Sequence, residues 1–285
     1  MTREHDFTPV IRRILSEEFG PASEEMFIRS ELLQYLNTKT ISASRGSKAR
    51  GSFGNIYAIY VLVEDYVDRG FHNTGDYEDA EGARFSDLLK RQRELPFGSK
   101  LQNHALNHRL NQEFLRLFPM STSQPILRDV ETRQYWINEH LLEVEVDGQE
   151  HNLATAILRI VEAYVDAKQE SFTLFINDCS RMQNILNDNP DEVIDFIASL
   201  LRPNVDARIF EIISFAILKA HYGDKSVFWG WELDEIQEEK LILYKTGRTN
   251  ANDGGIDFVM RPLGRFFQVT ETLDARKFFL DIDKV

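Results

Sequence analysis

The chain is predicted to be a mixed α/β protein in two parts: a mainly helical region over residues 1–202 and a smaller α/β core over 203–285. Three observations predict this. Apolar residues recur at helical intervals through most of the first part, and the remainder changes to short apolar runs parted by glycine-rich turns. Arg202-Pro203-Asn204 interrupts the pattern between them. With 42% hydrophobic and 28% charged residues among 285, the composition is that of a globular chain, long enough for one large domain or two modest ones.

Taken in order, residues 8–36 and 55–69 read as helices, carried by Ile11, Ile14 and Leu15 and then by Ile56, Ile59, Tyr60 and Val63. Between them, Asn37 to Asn55 reads as a polar loop rich in Ser, Gly, Lys and Arg, with no acid between Glu31 and Glu64. Lys39, Arg45, Lys48 and Arg50 supply positive charge there, and the glycines allow the backbone to approach phosphate closely. The stretch is therefore a candidate nucleic-acid contact; the competing reading is an ordinary solvated loop. His72 to Gly82 is acidic and turn-rich, an exposed connection.

A second basic region runs from Arg84 to Arg116 and includes Lys90, Arg91, Arg93, Lys100 and Arg109. Within it, leucines at 101, 106, 110, 115 and 117 predict a helix that buries one side and presents Asn103, Asn107 and Arg109 on the other. Asn pairs bidentately with adenine and Arg with guanine, although the same residues decorate many solvated helices. His104 and His108 stand four apart, a spacing that can chelate a metal, but no acidic partner motif accompanies them. Residues 129–150 turn strand-like, with a hairpin at Asp147-Gly148, and three helices follow over about 153–168, 171–187 and 191–201.

No run of about 18 uncharged apolar residues occurs, and the first ten residues, MTREHDFTPV, carry charges where a signal peptide needs an apolar core. A cytoplasmic protein with no membrane association is expected. The lone Cys179 excludes an internal disulfide and a cysteine-based zinc site. Net charge is -13, from 33 Lys and Arg against 46 Asp and Glu, which opposes general coating by phosphate. Any nucleic-acid affinity must come from local basic clusters.

The last part holds the most informative pattern. Asp206 to Tyr222 reads as a largely buried helix, with Ile209, Ile212, Ile213, Phe215, Ala216 and Ile217 apolar and Glu211 set among them. Leu241 to Tyr244 is a short apolar run, followed by the loop KTGRTNANDGG, a strand at Ile256–Met260, a turn at Pro262 to Gly264 and a further strand, GRFFQVTE. The expected order is helix, strand, strand, strand.

This arrangement resembles the PD-(D/E)XK nuclease superfamily, especially its Mrr-like and type II restriction branch. There a Glu-bearing helix precedes a loop close to G-x-D-G-G-I-D, and the next strand carries Q-x-K or E-x-K. The matching residues are Phe210-Glu211, then Asn252-Asp253-Gly254-Gly255-Ile256-Asp257, then Phe267-Gln268-Val269-Thr270, within roughly 205–275. The resemblance implies a restriction-endonuclease-like mixed-sheet core and Mg²⁺-dependent hydrolysis of double-stranded DNA at a specific sequence. It makes Asp257 the central metal ligand and Gln268 the second. The carbonyl of Val269 contributes, and Glu211 assists from the helix. The chemistry explains the residue types: negative charge develops on phosphorus, and a hard cation held by oxygen ligands stabilises it. The plainer reading makes Asp257 a turn carboxylate and Gln268 an ordinary amide; Asp253 reads as a turn residue and Glu271 faces away from Gln268.

Two departures stand out. Thr270 occupies the position of the family lysine, so Lys245 is the candidate replacement and Lys277 a weaker one. The closing segment LDARKFFLDIDKV leaves no length for a final strand, so the core is expected to be incomplete and the chain a shortened form of a longer protein. The resemblance further implies a homodimer, since palindromic sites match twofold symmetry, with residues 1–202 recognising DNA. Two other readings remain open: an inactive DNA-binding protein with a degenerate nuclease fold, and a helical interaction protein that never touches DNA.

Overall fold

A computed structural model describes residues 4–42, 49–202, 205–246 and 256–269. The chain is mixed α/β and divides into two compact units, Met1–Asn177 and Asp178–Val285, so the division falls upstream of Arg202-Pro203.

In the first unit the region expected as one helix over 8–36 is broken twice. Helix α1 spans Thr8–Phe19 and stops at Gly20, whose φ of +55° with ψ of -128° lies outside the left-handed helical region open to residues with a β-carbon; Pro21 follows. Helix α2 spans Ser23–Arg29 and ends where Ser30 turns extended, and α3 spans Glu31–Ser42. Helix α4, Ala49–Asp68, is the axis of the unit: Ile56, Ala58, Ile59, Leu62, Val63 and Tyr66 are completely buried. A helix apolar on every side must lie inside. The expected loop is correspondingly shorter, because α3 carries Asn37 to Ser42 and α4 starts at Ala49.

Helix α5 spans Phe71–Thr74, strand β1 Ala83–Arg84 and helix α6 Phe85–Glu94. The leucine-bearing segment begins as a π-helical turn at Ala105–Arg109 and continues as α7, Leu110–Leu117. Leu101, Leu106 and Leu110 are buried as expected, whereas Leu115 and Leu117 are exposed and Phe114 takes the inward position. Strands β2, Ile126–Asp129, and β3, Gln134–Ile137, pair antiparallel with β1 in the order β1-β3-β2. Strands β4, Glu143–Val146, and β5, Gln149–Asn152, form the hairpin read from Asp147-Gly148. Both turn residues have positive φ, 53° and 76°, which is why Asp-Gly is suited to this site. Helix α8 then runs unbroken over Ala154–Ile185, joining what read as two helices.

In the second unit, α9 spans Pro190–Ser199 and α10 spans Ala207–Tyr222, whose first turn is capped by the Asp206 carboxylate accepting from the N–H groups of Arg208 and Ile209. Strands β6, Ser226–Trp229, and β7, Gln237–Lys240, make a hairpin that the sequence did not announce, because β7 is exposed at every position and shows no alternation. Strands β8, Ile242–Lys245, β9, Phe258–Arg261, and β10, Arg265–Phe267, form an antiparallel sheet in the order β10-β9-β8. One face of this sheet packs on α10: Leu241, Leu243, Phe258 and Met260 are buried against Phe215, Leu218 and Tyr222. Helix α10 is less buried than its sequence suggested, with Ala216 and Ile217 exposed.

Candidate active site

The sheet register decides which site residues meet. Lys245 pairs with Phe258, and Phe258 with Phe267, giving one row across three strands on the α10 side. Phe215 packs its ring 5.2 Å from that of Phe258. One helical turn before Phe215 stands Glu211, and its Oε1 lies 2.6 Å from Lys245 Nζ. Both side chains are part-exposed, at 33% for Glu211 and 45% for Lys245. The helix carboxylate and the replacement lysine are therefore joined as an ion pair at one end of the sheet.

Asp257 immediately precedes β9, as Thr246 and Gln268 immediately follow β8 and β10. In a regular antiparallel strand the N–H and C=O of one residue point toward the same neighbour. Asp257 instead donates its N–H to the Phe267 carbonyl, 2.9 Å, and accepts from the Thr246 N–H, 3.0 Å, on the other side. The ladder is thus broken here in the manner of a bulge, which re-aims a side chain out of the simple alternation. The half-buried Asp257 carboxylate accepts from the Val269 N–H through Oδ2, at 2.8 Å. The Thr246 hydroxyl donates to the carbonyls of Ile256 and Asp257, at 2.6 and 2.9 Å. Thr246 escaped sequence reading because only the register brings it beside Asp257.

Gln268 is exposed, between Phe267 and Val269, which both pack against the core of the unit. The alternation therefore projects Gln268 away from the core that Phe267 and Val269 join. Asp257 is bonded to the residues on either side of Gln268, Phe267 and Val269, while Glu211 pairs with Lys245. The oxygen donors of Asp257, Gln268 and the Val269 carbonyl are the hard ligands that Mg²⁺ takes. Among the described residues no cluster of three His, Cys, Asp or Glu side chains forms a metal-holding group. Thr270, Asp253 to Gly255, Glu271 and Lys277 lie outside the described residues.

The proposed DNA-contacting residues fare differently. Arg45 and Lys48 lie outside the described residues, and Arg50 falls in the first turn of α4. Lys39 is only 14% exposed and ion-paired with Glu113, so the expectation of a solvent-facing phosphate ligand is corrected: its ammonium neutralises a carboxylate of the same unit. Arg109 binds the same carboxylate through Nε at 2.8 Å. Asn55 Nδ2 adds a third donor at 2.9 Å, so Glu113 is a hub that a basic-residue search does not find. Asn107 accepts from the Tyr135 hydroxyl at 3.3 Å and ties its helical segment to β3, whereas Asn103 is exposed. The rings of His104 and His108 stand 6.3 Å apart and both residues are exposed.

No helix among the described residues is long and apolar enough to cross a membrane. Comparison with known proteins finds no matching family model, no matching curated protein and no matching solved structure.

Proposed function

We propose that the protein is a Mg²⁺-dependent restriction-type deoxyribonuclease of the PD-(D/E)XK kind, acting on double-stranded DNA as a homodimer, with residues 1–202 serving recognition. The observation that carries this reading is the Glu211–Lys245 ion pair, with Asp257 immediately before Phe258, the strand partner of Lys245. Lys245, in the strand before the glycine loop, is thereby held as the candidate for the amine that Thr270 does not supply.

The ion would be held by Asp257, Gln268 and the Val269 carbonyl. When bound, it supplies charge stabilisation to the phosphate and acidifies water. The residues of the chain do the rest. Glu211 anchors the Lys245 ammonium, which is then placed to orient the attacking water and donate a hydrogen bond to a phosphate oxygen. Thr246 and the Val269 N–H hold the backbone and carboxylate of Asp257, fixing its direction before substrate arrives.

The test incubates purified protein with phage DNA and Mg²⁺. Discrete fragments are expected from the wild type and none from Asp257→Ala; equal cutting by both rejects the assigned site. A second reading, a DNA-binding protein that does not cut, is favoured by the outward placement of Gln268 and by Thr270 in the lysine position. Retention of DNA in a gel without cleavage in Mg²⁺ or Mn²⁺ would select it.

A further inference from the structure

The face of the β8-β9-β10 sheet turned away from α10 carries an uncommon set of side chains. Register places Tyr244, Val259 and Phe266 in one cross-strand row, with Ile242 and Arg261 paired beside it. Tyr244 is 47%, Phe266 52% and Ile242 49% exposed, although aromatic and aliphatic side chains on a finished sheet face are normally covered. Arg261 sits with its guanidinium carbon 5.7 Å from the centre of the Tyr244 ring. Strands lie about 4.8 Å apart, so the two rings flank Val259 at a separation of roughly 10 Å. Gln268, two residues beyond Phe266, extends the same face with an amide.

Charge selects the occupant. In a protein of net charge -13, the residues that alternate onto this face within the three strands, Ile242, Tyr244, Val259, Arg261 and Phe266, include no carboxylate and one guanidinium. A face of π surfaces with a cation stacked on one of them is complementary to a ligand that is both aromatic and anionic. Bases stack on aromatic side chains whatever their identity, and arginine adds attraction to the backbone phosphate and the ring. Open antiparallel sheets bearing exposed aromatics are a general platform for unpaired bases.

We infer that this face binds single-stranded DNA, with bases stacked on Tyr244 and Phe266 and phosphate held by Arg261. The inference rests on the DNA-directed reading of the proposed function: Val259 follows Asp257 by two residues and Phe266 precedes Gln268 by two, so this face is continuous with the proposed site along both chains. Ile242 supports the surface without stacking.

The experiment measures fluorescence anisotropy of a labelled oligothymidylate with the full-length protein in EDTA, so that binding is read without cleavage. Tyr244→Ala and Phe266→Ala are each expected to weaken binding roughly tenfold or more, while Tyr244→Phe and Phe266→Tyr retain it and Ile242→Ala changes it little. Circular dichroism melts confirm that each variant is folded. Wild-type affinity in the folded alanine variants, or no binding by the wild type, overturns the inference. So does light scattering that shows a wild-type dimer dissociated by Phe266→Ala, which would make the face a contact between copies. Failure of the hydrolase reading has a separate signature: oligonucleotide binding lost in Tyr244→Ala while phage DNA stays uncut in Mg²⁺.

Discussion

Glu113 shows how partners distant in sequence decide the state of a side chain. Burial alone pushes its carboxyl upward, but hydrogen bonds and charge from Lys39 and Arg109 outweigh burial and hold it below the ordinary value of 4.5. A carboxylate with a depressed folded value contributes stability that is present above its unfolded value and lost as pH falls through the folded one. Glu113→Gln is therefore expected to lose roughly 3 kcal/mol at neutral pH, because Lys39 stays largely buried without its counter-charge. That deficit narrows as pH falls below 4.5 and through the depressed folded value; urea midpoints along the series check it, and a deficit independent of pH contradicts it. Lys245 belongs to the same scale. Lys245→Met is expected to slow single-turnover DNA cleavage about 100-fold while leaving DNA binding intact, and an unchanged rate removes it from the site. Its candidacy was legible from its position just before the glycines, although the sequence assigned it to the loop and the structure gives it to β8. Its bond to Glu211 was not, since that needs the pairing of β8 with β9 and the phase of α10 against both.

At the scale of elements, local chemistry was legible where it is strict. Asp147-Gly148 specified a hairpin because its two-residue turn requires positive φ twice, and α4 announced itself by Ile56, Ile59, Tyr60 and Val63 at helical intervals. Where strictness fails, tertiary context decides. The exposed polar stretch Lys168 to Ser171 looked like a break but continues α8, because charged and polar residues are good helix formers when nothing forbids them. Strand β7 exists by pairing with β6, which no periodicity within Gln237–Lys240 encodes. Helix α6 holds a different surprise: Gln92 is fully buried, and among the described residues neither amide atom meets a hydrogen-bond partner. Removing an unsatisfied amide at similar volume recovers its desolvation cost. Gln92→Met is expected to raise stability by about 1 kcal/mol, read as a higher urea midpoint at unchanged slope; a loss of similar size would mean that the amide is bonded.

For the whole molecule, the two units differ in how much apolar side chain they close off. The first unit buries nearly the whole of α4 together with the inner faces of α1, α3 and α8, whereas the sheet of the second closes around Leu241, Leu243, Phe258 and Met260. Sub-global opening follows such differences. Amide hydrogens of Ile59–Val63 are therefore expected to exchange about 100-fold more slowly than those of Leu243 and Met260, and equal protection would show that the units open together. The acidic balance, which argued against nucleic acid in the sequence, is unevenly laid out: Lys39 and Arg109 neutralise an internal carboxylate, and the open sheet face of the second unit bears Arg261 without an acid in its strands. The phosphodiesterase site proposed at the end of this sheet is organised by Asp257. The most direct measurement is the initial rate of plasmid nicking as a function of Mg²⁺ concentration for the wild type and Asp257→Asn. Mg²⁺-dependent nicking by the wild type is expected to fall by at least about 100-fold in the variant; equal rates in the two proteins, or no nicking by the wild type at any Mg²⁺ concentration, would refute the site.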